Sequence, residues 1–112
     1  MSEFRRKSGR NKGHRRIWIE GARLVACGLE PGTAMYRSMH DDGHMTLSTT
    51  CEPSYARKHS IAGSVDRPII DLCGAWVTQF MGGLSHFSVV VAVNGNDVEL
   101  LISPAKGEPD HE

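Results

Sequence analysis

Seven of the 13 lysines and arginines fall within the first 16 positions: Arg5, Arg6, Lys7, Arg10, Lys12, Arg15 and Arg16, against one acid, Glu3. Guanidinium and ammonium groups neutralise phosphates and release counterions, which drives sequence-independent affinity for nucleic acid. From Ile17 onward the balance reverses, with 6 basic and 12 acidic side chains. A net charge of zero therefore hides a basic terminus on an acidic body, the pattern of an arm for an anionic partner. A solvated, disordered tail explains the same letters.

Other groups could do chemistry, and each has a plainer reading. His40 and His44 bracket Asp41-Asp42-Gly43, which puts two imidazoles and two carboxylates in five residues. A polar hairpin turn accounts for them, and a metal site recruits further ligands from elsewhere. No metal and no other cofactor is expected. His59 and His86 are the weak candidates for general acid and base in RNA cleavage, because imidazole titrates near neutrality. No spacing links them to each other or to a lysine, so no catalytic residue is assigned. Trp18 and Trp76 lie in apolar settings and read as core rather than as stacking platforms.

These residues must be positioned by short elements. "RIWI" (16–19) reads as a buried strand, Ala22 to Leu29 as a two-turn helix stopped by glycine, "TAMYRSM" (33–39) and "HMTLSTT" (44–50) as a hairpin across "HDDG". The order then repeats: strand "RPIIDL" (67–72), helix "GAWVTQFM" (74–81), and strands "FSVVVAV" (87–93) and "VELLIS" (98–103) joined by "NGND". Asn-Gly between apolar runs is the strongest local hairpin signal. At an offset of 53 the halves match Ile17 with Ile70, Gly21 with Gly74, Ala22 with Ala75 and Leu47 with Leu100. A unit of this size cannot bury enough surface alone and must pair with its copy. The expected organisation is a flexible basic arm (1–15), a first repeat (16–50), a second repeat (51–103) and an acidic, frayed tail (104–112). The two repeats would form one barrel over 16–103.

The stretch "PIIDLCGAWV" carries a resemblance. Pro68, Ile70, Leu72, Gly74, Trp76 and Val77 match the pattern of the SymE-like toxins, relatives of the SpoVT/AbrB swapped-hairpin barrel proteins, and "SYARK" (54–58) looks like that family's leading strand. Ile17, Ile19, Gly21, Leu24, Gly28, Leu29 and Gly32 resemble the other end of the pattern. The family carries one copy per chain; this sequence has two, and shows Arg23 where the family has Trp. The resemblance implies a small bacterial or phage protein acting on nucleic acid. It places Arg23, Arg57, Lys58 and Arg67 near the same binding face as the arm, although ordinary surface charge is the plainer reading of those four.

The resulting expectation is an α+β, mostly β protein, a pseudo-dimeric swapped-hairpin barrel, monomeric or forming a homodimer. It would bind DNA or RNA as a regulator or growth-inhibiting toxin, without catalysis of its own. Two other classes stay open. One is an RNA endonuclease toxin. The other is an anti-CRISPR-like inhibitor whose acidic body docks on a host nucleic-acid complex. No run approaches 18 apolar residues, and the three cysteines are odd in number and lack C-x-x-C spacing. A cytoplasmic protein with no membrane partner is expected.

Overall fold

A strand rich in β-branched residues with strict alternation needs partners on both sides, and "HFSVVVAVN" is the organising case here. It forms β9 (His86–Asn94), with Phe87, Val89 and Val91 buried. The computed structural model describes residues 2–50 and 57–107. Ten strands and two helices occupy them: β1 (Ser2–Lys7), β2 (Gly9–Asn11), β3 (His14–Glu20), α1 (Ala22–Ala26), β4 (Ala34–Met39), β5 (Met45–Ser48), β6 (Arg57–Ser60), β7 (Ala62–Ser64), β8 (Arg67–Cys73), α2 (Ala75–Met81), β9 and β10 (Asp97–Ala105). The class is α+β and mostly β.

All pairings are antiparallel. One sheet has the order β1-β9-β10-β5-β4-β6 and the other β2-β3-β8-β7. Their inward faces supply one core, in which Ile17, Leu72, Leu47, Leu100, Phe87 and Met45 are almost wholly buried. Both helices pack against β3 and β8, inserting Leu24 from α1 and Val77 and Met81 from α2. Each helix starts on a glycine with positive φ, Gly21 at 96° and Gly74 at 126°. L-residues avoid that conformation, so the chain can leave its strand and turn directly into the helix only there.

The basic N-terminus is not an arm apart from the body. Residues 2–7 pair with β9, setting Phe4 opposite Val89, and residues 9–11 pair with β3. Phe4 is the reason: this single apolar residue is buried and fixes the run as an edge strand. Between β1 and β2 the chain turns a corner at buried Ser8, whose N–H and Oγ both donate to Ser85 O at 2.8 Å. Between β6 and β7 it turns at buried Ile61, whose N–H donates to Thr33 O at 2.9 Å.

Those corners also explain why strand pairing among the described residues leaves two open sheets instead of one closed barrel. β1 pairs only with β9 and β2 only with β3, so a strand that changes partner at a bend interrupts the ladder. Two further differences concern ends. The expected first helix stops at Ala26, leaving Val25 exposed. The expected tail is strand as far as Ala105, with Pro104 opposite Phe87. β5 pairs with β10 only at 99–102, so one side of Pro104 borders no strand and its missing N–H is tolerated. Residues 54–56 of the expected leading strand and 108–112 of the tail lie outside the described residues.

Several registers share one spacing. Trp18 faces Asp71 across β3 and β8, and Leu47 faces Leu100 across β5 and β10; in both pairs the residue numbers differ by 53. Gly9 opposite Arg16 and Ala62 opposite Ile69 differ by the same amount. The β4–β5 and β9–β10 hairpins depart from it by one residue.

Candidate nucleic-acid interface

The edge position of β1 and the corner at Ser8 decide which basic groups reach solvent. Arg5, Arg6 and Lys7 on β1, Arg10 on β2 and Lys12 in the β2–β3 turn are all exposed. The Arg6 guanidinium lies 4.9 Å from the Phe4 ring centroid, and Arg23 from α1 lies 4.6 Å from the same centroid. Cation–π contact thus ties the start of α1 to this edge and keeps both charges outward. Among the described residues Lys7, Arg10 and Lys12 make no ion pair with an acid. Lys12 is the one described non-glycine residue with positive φ, 54°.

Three basic residues expected to bind nucleic acid are engaged elsewhere. Arg15 is half-buried: its N–H donates to Thr78 Oγ1 at 2.9 Å and its Nη1 to Ser8 Oγ at 3.3 Å, bracing α2 and the corner. Arg16 is bidentate on Asp71, both contacts 2.8 Å, and lies 4.3 Å from the Trp18 ring centroid. Arg67 is bidentate on Glu20 at 2.5 and 3.1 Å. Hydrogen bonding to Arg67, and then to Trp18, holds the Glu20 carboxyl below its ordinary range. Arg16 and Arg67 are therefore neutralised on the outer face of the smaller sheet.

The remaining pair, Arg57 and Lys58, is exposed on β6, the opposite edge of the six-stranded sheet. Arg57 stands opposite Arg37 on β4, a residue that sequence reasoning missed. The signal was present: Arg37 shares strand parity with buried Met35, so a charge points toward the core side. Its guanidinium lies 3.6 Å from the Trp76 ring centroid. Neither tryptophan is wholly core. Both are half-buried, Trp76 packed against the core and Trp18 on the outer face of the small sheet.

The histidines do not converge. His59 is on edge strand β6 and His86 on β9, with β10, β5 and β4 between them. The registers also set His59 level with Val93, seven residues along β9 from His86, so the two are too far apart for any shared proton transfer. His86 Nδ1 is 2.8 Å from Ser85 Oγ. His59 is half-buried against Trp76, and burial, followed by the charges of Arg37 and Arg57, pushes its pKa down. His40 and His44 stack with centroids 4.4 Å apart, and His44 Nδ1 contacts the Asp42 carboxylate. Among the described residues no group of three or more His, Cys, Asp or Glu could hold a metal ion. No described helix is long and apolar enough to cross a membrane.

Comparison with protein-family models, with curated proteins and with solved structures gives no match.

Proposed function

We propose that the chain binds nucleic acid along the β1–β2 edge, with Arg6, Lys7, Arg10, Lys12 and Arg23 as the phosphate-facing groups, and that it acts by binding rather than by catalysis. The observation carrying this reading is one edge, continued from β1 round the Ser8 corner, where Lys7, Arg10 and Lys12 have no acid partner among the described residues while Arg16 and Arg67 are paired. Unpaired cations along an extended strand match the regular spacing of a phosphate backbone and release its counterions on contact. The wide separation of His59 and His86 argues against the endonuclease reading.

We infer that the chain is an internal duplication of a swapped-hairpin unit. Support comes from the shared spacing of 53 between facing residues and between the two hairpins β2–β3 and β7–β8. The corners fit as well, since Ser8 and Ile61 stand at that same spacing. In the duplicate, β6 and β7 take the place of β1 and β2, so Arg57 and Lys58 make a second, shorter basic edge. The resemblance to SymE-like and SpoVT/AbrB-like proteins rests on the same elements, and a regulatory or growth-inhibiting role follows from it.

The test is fluorescence anisotropy of labelled duplex DNA and single-stranded RNA over a salt series. The wild type is compared with a Lys7→Gln, Arg10→Gln, Lys12→Gln triple variant. Three lost phosphate contacts flatten the salt slope on duplex DNA by roughly 2–3 units. Equal slopes for the two proteins, or no binding at low salt, would overturn the reading and leave the acidic body, as a docking surface for a protein partner, as the better one.

A further inference from the structure

A second group of cations is built differently from the β1–β2 edge. Arg37 on β4 and Arg57 on β6 are direct cross-strand partners, and His59 follows Arg57 on the same strand face. Like charges placed directly opposite one another destabilise a sheet. Burial sharpens the conflict, since Arg37 Nε and His59 Nε2 are both shut off from solvent without a hydrogen-bond partner. Trp76 fixes the arrangement from below, with Arg37 at 3.6 Å and the His59 ring at 6.1 Å. A pocket of about 340 Å³ opens beside His59, lined also by Lys58, Ser60, Ile61 and the Asp71 carboxylate, which Arg16 holds; Arg37 and Arg57 lie outside its lining. Among the described residues the Arg37 and Arg57 side chains have no acid partner.

We infer that Arg37, Arg57 and His59 form a binding site for a phosphate monoester, with Trp76 as the platform that orients the Arg37 guanidinium. An oxyanion supplies what the cluster lacks. It neutralises two facing guanidinium groups and accepts hydrogen bonds from the N–H groups of their forks, beside the His59 ring. A terminal phosphate suits the site better than a bridging diester, because its three free oxygens can accept from three donors at once. The site lies on the edge opposite β1 and does not depend on the nucleic-acid reading of that edge. The monoester could be a free nucleotide or the end of a strand, which share this chemistry.

The test uses two-dimensional NMR of the Trp76 indole N–H and the His59 ring, titrated with inorganic phosphate, 5′-AMP and adenosine. Phosphate and AMP are expected to shift both groups saturably, adenosine neither, and Arg57→Gln to weaken AMP about tenfold. Arg57 is exposed, so this variant keeps its fold, which unchanged core resonances will show. A 5′-phosphorylated oligonucleotide that outcompetes AMP, while its 5′-hydroxyl form does not, assigns strand ends; AMP as the tighter ligand assigns nucleotides. Absence of saturable shifts with phosphate and AMP at tens of millimolar overturns the site. So does binding that is undiminished in both Arg57→Gln and Arg37→Met. The Lys7, Arg10, Lys12 variant separates the two readings, because it should leave AMP binding unchanged.

Discussion

Trp18 and Asp71 stand directly opposite one another across the β3–β8 ladder, and Arg16 ties them together, bidentate on the carboxylate and 4.3 Å from the indole centroid. This arrangement removes Arg16 from any role in phosphate binding. Its two hydrogen bonds hold the fork against Asp71, and the stacked ring fixes its plane. Arg16→Gln should therefore leave the salt slope of DNA binding unchanged. It should lower the thermal midpoint slightly at low salt, and that difference should shrink at high salt as the ion pair is screened. Anisotropy and thermal melts at two salt concentrations check both parts.

Lys12 sits in a conformation that costs an L-residue about 1–2 kcal/mol, at φ 54° in the β2–β3 turn. Asn tolerates that region better. Lys12→Asn is expected to stabilise the protein by about 0.5 kcal/mol in urea denaturation, while lowering the salt slope of DNA binding by about 0.9. Opposite movements of stability and binding would identify the lysine as kept for its charge. A variant that gains stability with binding unchanged would remove Lys12 from the interface.

Gly63 has φ of 87°, and a Cβ there would stand 2.2 Å from the carbonyl oxygen of Arg67. The neighbour is backbone of the paired strand and cannot step aside. Gly63→Ala should cost about 2–3 kcal/mol through the combined strain and overlap. The shift in urea midpoint measures it.

Local pattern made much of this fold legible. The alternation of Phe87, Val89 and Val91, with Asn-Gly following, specified β9, its turn and β10 from neighbouring residues alone. The spacing between Ile17 and Ile70 was readable in the same way. β1 was not, because one phenylalanine among arginines looks like a solvated tail until β9 is present to pair with it. The basic groups were visible as letters, but their use depends on partners far along the chain. Arg16 meets Asp71 and Arg67 meets Glu20, separated by 55 and 47 residues. Arg37 was missed for the same reason: its significance comes from Arg57 and Trp76, neither of them local.

His59 carries a pH dependence with a definite sign. Burial, with the charges of Arg37 and Arg57, lowers its pKa below the ordinary 6.5. Lys58 and Asp71 line the adjoining pocket, and Asp71 is already paired with Arg16. The unfolded chain then takes up a proton more readily than the folded one. Stability is full above pH 6.5 and falls as the pH drops from there through the folded-state value. His59→Gln should remove this component. Urea midpoints of the wild type and the variant at pH 7.5 and pH 5 should therefore differ more in the wild type, the other histidines being common to both.

The pairing of β1 with β9, β4 with β6, β3 with β8 and β5 with β10 means that each half of the chain completes its sheets with strands of the other. Residues 1–52 alone would expose the faces of Ile17 and Leu47 that Leu72 and Leu100 cover. A fragment of that size has too little buried surface to offset chain entropy. Neither 1–52 nor 53–112 should show a cooperative thermal transition by circular dichroism when monomeric. Mixed in equal amounts they should regain one, at a midpoint that rises with concentration, because folding is then coupled to association. A lone fragment that melts cooperatively at a concentration-independent midpoint would show that the halves are separate units, and the duplication would lose its physical reason.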